Sequence, residues 1–218
     1  KSNFSLTDKS DIGFIHQSYL TSRKEVPMAP KTRRVLLSAL VLPFLVLLVG
    51  CTKCVKFNNV PPTAQWGTPA GHANGALVHT EDDINVTVEE FYWSATTTHF
   101  GSTRVKPSFT VSGEQSINTN NINLEFDFTQ LSFIPNKVTV IFRDTGGFEN
   151  ISVNGSTVIR GELESGSAGG ISWTVDSTPE GNPSNRIGTV TITGDVSRLK
   201  IGGQEFWIQS VCAQKMNN

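Results

Sequence analysis

Leu124-Glu125-Phe126-Asp127-Phe128-Thr129 decides the fold, and Val138-Thr139-Val140-Ile141-Phe142-Arg143 repeats its message. In the first run the apolar side chains at 124, 126 and 128 alternate with polar ones at 125, 127 and 129. Successive side chains of a strand point to opposite faces, so a period of two describes a strand with one face in a core and the other in water. The same alternation places Ile84, Val86 and Val88 against Asn85, Thr87 and Glu89. It recurs at Ile151 and Val153, Trp173 and Val175, Val190 and Ile192, and over 206–212.

Turn residues separate these runs: Gly146-Gly147, Asn154-Gly155, Gly169-Gly170, Gly181-Asn182-Pro183 and Gly202-Gly203. Asn154-Gly155, between Ile151-Ser152-Val153 and Thr157-Val158-Ile159, predicts a type I′ hairpin. No stretch after Gly50 sustains the apolar period of an amphipathic helix. Short, evenly spaced strands without helices predict an all-β chain, a two-sheet antiparallel β-sandwich of jelly-roll type with about ten strands.

Working back toward the N-terminus, the pattern changes. Lys31, Arg33 and Arg34 precede an apolar run over 35–50 that Pro43 interrupts. The run is shorter than the roughly 20 residues that span a bilayer, and it has the layout of a secretory signal peptide over 28–50. It closes on Leu48-Val49-Gly50-Cys51, which resembles the lipobox of bacterial lipoproteins. That resemblance implies cleavage before Cys51, a diacylglyceryl group on its thiol and acylation of the new N-terminus. The mature protein would then be extracytoplasmic and touch the membrane through its lipid anchor alone. Thr52 after the acylated Cys points to the outer membrane or cell surface. Residues 1–27 lack apolar periodicity and precede Met28. Lys24-Glu25-Val26 can be encoded by a purine-rich ribosome-binding sequence, so this stretch is expected to be translated leader rather than folded protein. The expected organisation is therefore leader (1–27), signal peptide (28–50), and one domain made of an anchored strand and loop (51–75) and the sandwich (76–218).

Residues 1–50 hold 7 of the 18 Lys and Arg and 3 of the 19 Asp and Glu, leaving 11 and 16, a net charge of −5. Nucleic acids and anionic membrane surfaces need a basic face, so neither is expected as a partner. With Cys51 lipidated, Cys54 and Cys212 remain. An oxidising compartment favours a bond between them, which requires the first and last strands to lie side by side. Two free thiols, or a bond to another molecule, are the alternatives.

Cys54-Val55-Lys56-Phe57-Asn58-Asn59-Val60, the segment from Thr145 through Gly155, and Ile201-Gly202-Gly203-Gln204-Glu205-Phe206-Trp207-Ile208-Gln209-Ser210-Val211-Cys212 together resemble a group of uncharacterised secreted bacterial β-sandwich domains. That group in turn is similar to jelly-roll carbohydrate-binding modules. The resemblance implies a glycan ligand and a calcium ion held at strand ends. Asn58, Asn59, Gln209 and Ser210 stand where carboxylates are common, and calcium favours charged oxygen donors. No cofactor is therefore expected, with calcium the one candidate ion.

No His-Glu-x-x-His, Gly-x-Ser-x-Gly, Walker or dinucleotide-binding motif occurs, so no catalysis is expected. His79-Thr80-Glu81-Asp82-Asp83 is the densest set of metal-ligand types. Its carboxylates at Glu81, Asp82 and Asp83 read either as a cation site or as an acidic turn. Trp66, Tyr92, Trp93 and His99 lie in or beside loops, where flat rings can stack on a sugar. Trp173 and Trp207 lie within alternating strands and read as packing. The expectation is a lipid-anchored binding module, glycan-binding or adhesion-like. The alternatives are an envelope assembly protein with a protein partner and a glycan hydrolase.

Overall fold

The computed structural model describes residues 51–217. The leader and signal-peptide readings lie outside the described residues. The strands are β1 (Thr52–Val55), β2 (Gln65–Gly67), β3 (Leu77–Glu81), β4 (Ile84–Tyr92), β5 (Thr98–His99), β6 (Ser102–Pro107), β7 (Gln115–Asn120) and β8 (Ile122–Asp127). They continue as β9 (Lys137–Asp144), β10 (Glu149–Val153), β11 (Ile159–Gly161), β12 (Gly166–Ala168), β13 (Ile171–Glu180), β14 (Asn182–Thr193), β15 (Arg198–Gly203) and β16 (Phe206–Gln214). The count exceeds the expected ten because short edge strands and bulge-broken hairpins add to the long ones.

The larger sheet runs β12-β13-β14-β9-β16-β7-β6-β2, with β1 added to β16; the smaller runs β11-β10-β15-β8-β4-β3, with β5 added to β4. Every pairing among the described residues is antiparallel. The two sheets stack as a jelly-roll-type sandwich and do not close into a barrel.

The alternation fills the space between them. The larger sheet buries Val138, Val140 and Phe142 of β9 and Val190 and Ile192 of β14. The smaller buries Val86 and Val88 of β4, Leu124 and Phe126 of β8, and Leu199 and Ile201 of β15. Each such side chain contributes about 1.5–3 kcal/mol. The outer face of the smaller sheet carries ion pairs instead: Lys200 lies 3.2 Å from Glu89 and 3.7 Å from Glu125, and Arg198 lies 3.6 Å from Asp127.

β16 changes phase partway along. Phe206 and Ile208 are buried, then Val211 and Ala213, because the register shifts between Ile208 and Ser210. This bulge leaves Gln209 unpaired in the ladder and turns Cys212 to the face opposite Val211. Cys212 then stands directly across from Cys54 of β1, and the two form a disulfide with Cα atoms 4.1 Å apart. The expected adjacency of first and last strands is present.

Two local departures from regular pairing occur. β1 ends at Val55, and Phe57 leaves the ladder with φ 61° while its ring enters the core. At 154–155 the turn forms, with both residues at positive φ and Ser156 donating to the Val153 carbonyl at 2.9 Å. The returning strand, however, begins at Ile159 rather than Thr157, pairing Ile159 with Ile151. Asn154 is held elsewhere: its Oδ1 accepts from the Ser197 and Arg198 amides, and its Nδ2 donates to the Asp195 carbonyl.

Candidate functional site

The acidic turn beside β1 serves the fold. Glu81 Oε2 accepts the Lys56 amide at 2.9 Å and the Phe57 amide at 3.1 Å. Asp82 accepts the Cys54 amide at 3.1 Å, and Asp83 lies 3.4 Å from Lys53 Nζ. The three carboxylates therefore serve four separate donors over 53–57 and do not share a centre. Of the two readings, cation site or acidic turn, the turn is present, and its carboxylates cap an edge strand and the residues after it, whose amides face outward and need acceptors.

Trp66 is also a correction. Its ring is 5 % exposed and stacks on the His79 ring at 6.1 Å and 22°, with Phe57 6.3 Å away. A ring packed there cannot receive a sugar. The surrounding Pro and Gly residues suggested a surface loop, but the β2–β6 pairing draws Trp66 inward.

Asn58 and Gln209, considered as calcium ligands, are occupied by the fold. Asn58 Oδ1 accepts the Gln115 amide at 2.9 Å, and Gln209 bonds Ser108 and Glu114. Ser210 is buried beside it.

Tyr92, Trp93 and His99 gather where β4 turns into β5. Phe91 and Tyr92 pair with His99 and Thr98 in that hairpin. Asn150 of β10 clamps its base: the Tyr92 amide donates to Asn150 Oδ1 at 2.7 Å, and Asn150 Nδ2 donates to the Tyr92 carbonyl at 3.0 Å. Tyr92 is half-buried, His99 is exposed, and Trp93 is 37 % exposed. The Trp93 ring rests edge-on against buried Phe91 at 5.3 Å and against Phe148 at 6.0 Å. Phe148, 47 % exposed, was not singled out in the sequence; it arrives from the 145–148 loop. Gln204 Oε1 accepts the Phe148 amide at 3.1 Å, and a Cβ at Gly147 would lie 2.6 Å from the Gln204 side chain. Trp173 is buried, with its Nε1 donating to the Glu164 carbonyl at 2.8 Å, and Trp207 is half-buried under the Arg143 guanidinium at 5.7 Å. Both are packing, as expected.

A second group was not expected. Asp144 ends β9 and continues the inward-facing series Val138, Val140, Phe142; Glu149 begins β10 and shares the face of Ile151 and Val153. The 145–148 loop crosses from one sheet to the other, so the two carboxylates meet inside one end of the sandwich. Each residue is 1 % exposed. Arg186 of β14, the ladder partner of Asp144, reaches Asp144 Oδ2 with Nη2 at 2.8 Å and Nε at 3.3 Å. Its Nη2 also lies 3.2 Å from Glu162 on the loop after β11. The Gly146 amide donates to Asp144 Oδ1 at 2.8 Å.

One carboxylate oxygen from each of Asp144, Glu149 and Glu162 lies within 4.8 Å of the others. Neither oxygen of Glu149 has a hydrogen-bond partner. Burial, then the charges of Asp144 and Glu162, push its pKa up to about 9; Arg186 and the nearby Leu163 amide, which stops short of hydrogen-bond geometry, pull the other way. Glu149 lines a cavity of about 350 Å³ together with Ile151, Ile159, Glu162, Leu163 and Trp173. A carboxylate on the core-facing phase of an alternating strand was the available signal for both Asp144 and Glu149.

Two carboxyls this close can share a proton or hold a cation. Hydrolysis of a glycan needs both within reach of the scissile bond. Asp144 does not line the cavity and is held by Arg186, so the geometry favours the cation.

No family model, no curated protein and no solved structure matches this chain.

Proposed function

We propose that the sandwich is a lipid-anchored extracytoplasmic binding module whose ligand is a glycan. The observation that carries this reading is the exposed Trp93–Phe148 pair, two rings 6.0 Å apart and inclined by 71° at one end of the smaller sheet. Flat rings backed by buried packing lose little freedom when a sugar stacks on them, and the apolar face of a pyranose matches their surface. Phe91 supplies that backing, and the Gln204 side chain, beside Phe148, brings an amide suited to sugar hydroxyls. The Cys54–Cys212 bond agrees with an oxidising compartment outside the cytoplasm. The lipobox-like Cys51, exposed at the start of β1, supplies the anchor in this reading.

The test is a glycan array and polysaccharide pull-down with the full chain in mild detergent. Binding to a glycan class that falls at least about tenfold, or 1.4 kcal/mol, in Trp93→Ala while the circular dichroism is unchanged supports the reading. No glycan bound, or binding indifferent to Trp93→Ala and Phe148→Ala, removes it.

A protein partner is the second reading, favoured by an apolar depression of about 380 Å³ lined by Phe128, Leu131, Phe133, Ile134 and Val196. Ile134 there is 59 % exposed. Pull-down of an envelope protein that Ile134→Asp abolishes supports it.

A further inference from the structure

We propose that Asp144, Glu149 and Glu162 form a site for a hard divalent cation of calcium's size, bridging the two sheets at one end of the sandwich. The site is separate from the Trp93–Phe148 surface and does not depend on the glycan reading.

The first argument is the state of Glu149. A carboxylate removed from water is retained at low cost only when it is paired, hydrogen-bonded or bound to an ion. Glu149 is 1 % exposed, both its oxygens lack a partner, and it forms part of a cavity wall. Arg186 does not answer it, because its guanidinium is committed to Asp144, Glu162 and the Leu163 carbonyl.

The second is distance. Calcium takes oxygens at about 2.3–2.6 Å, so two oxygens up to about 4.8 Å apart can both reach one ion. The three carboxylates meet that bound mutually. Magnesium, with bonds of about 2.0–2.1 Å and octahedral angles, would require a tighter cluster. The donors are all oxygen, without His or Cys, which disfavours zinc and copper.

The third is charge. Three carboxylates and one guanidinium leave two negative charges when all are ionised, which one divalent ion cancels. The remaining charged groups at the cavity are Arg160, whose Nη1 donates to the Val158 carbonyl at 3.2 Å, and Glu164, and their opposite charges offset each other.

The fourth is connectivity. Asp144 comes from the larger sheet, Glu149 from the smaller and Glu162 from the loop between β11 and β12. Glu162, with its side chain 66 % exposed, offers the entry point. A bound ion would join Glu149 to Asp144 and Glu162, which Arg186 already links to each other, and would hold the loop whose Glu164 carbonyl accepts from Trp173.

The experiment is calorimetric and thermal titration of the full chain in mild detergent, stripped with EDTA, with calcium chloride and then magnesium chloride. The expected result is one saturable calcium site with a Kd of about 10⁻⁴–10⁻³ M, the range of extracellular modules, and a rise in Tm. Magnesium should bind at least about tenfold more weakly. Glu162→Gln should weaken calcium at least about tenfold yet melt like the wild type in EDTA, since its side chain is largely in water. Glu149→Gln should abolish the calcium-dependent rise in Tm. No heat and no Tm shift at about 10 mM calcium overturns the site. Undiminished binding in both variants, or magnesium as tight as calcium, overturns it as well.

Discussion

Asp144 and Glu149 approach each other from opposite sheets, separated in the chain only by the 145–148 loop, and each is 1 % exposed. Asp144 pairs with Arg186 at 2.8 Å, whereas Glu149 has no hydrogen-bond partner and its pKa rises to about 9. The unfolded chain would hold Glu149 near 4.5. Between those two values the folded form binds a proton that the unfolded form has released, so stability falls as pH rises through that window. In EDTA, Glu149→Gln should therefore become progressively more stable than the wild type as pH rises, exceeding it by at least about 1 kcal/mol at pH 8. Denaturant unfolding of both proteins at pH 5 and pH 8 reads this; a difference that stays constant with pH would show that Glu149 does not titrate in this window. Asp144, Glu162 and Arg186 are the charged groups that face Glu149.

The disulfide joins direct ladder partners that are 158 residues apart in sequence. A cross-link closing so long a loop restricts the unfolded chain, with a typical contribution of about 2–4 kcal/mol. Cys54→Ser combined with Cys212→Ser should lower the unfolding free energy by that amount and loosen β1, measured by denaturant unfolding and by amide hydrogen exchange at positions 54 and 55. A loss under about 0.5 kcal/mol would mean that the β1–β16 ladder holds without it.

Glu81 accepts two consecutive amides from the stretch where Phe57 adopts positive φ. Hydrogen bonds to a charged group contribute about 1.5–3 kcal/mol each, and a buried orphaned amide costs more than an exposed one. Glu81→Ala should destabilise by about 2–4 kcal/mol, with Glu81→Gln between it and the wild type. Calcium affinity should be unchanged in both, which distinguishes this turn from the Glu149 site in the same titration.

Trp66 packs among Phe57 and His79. Removing a buried tryptophan leaves a cavity and costs about 3–5 kcal/mol. Trp66→Ala should lower Tm markedly, whereas Trp93→Ala should change it by only a few degrees. Equal losses of stability would mean that Trp93 is as much a packing residue as Trp66.

The alternation at 124–129 and 138–143 was enough to read two-sided strands, because burial of one face repeats every second residue whatever the partner strand is. It also identified Trp173 as packing, whereas the adjacency of first and last strands followed only from a Cys54–Cys212 bond, one of the alternatives open in sequence. It did not reveal the phase change at Gln209, since a bulge is a property of two strands and appears only when one is counted against the other. Exposure of single aromatics was equally hidden. Trp66 and Trp93 have similar polar or turn-rich surroundings in sequence, and only the pairing of β2 with β6 buries the first while the β4–β5 turn exposes the second.

The candidate sites divide along the same line. Glu81, Asp82 and Asp83 are neighbours in sequence, yet the side chains serve separate donors over 53–57. Asp144, Glu149 and Glu162 are scattered, yet the crossing of one loop and the return of another bring their oxygens together. The order of residues determined that this chain makes strands, where they turn and which cysteines could meet. Which carboxylates share one small volume was decided by the packing of sheet on sheet. Periodicity is local to each strand, whereas a distance between side chains of opposing layers depends on every turn that lies between them.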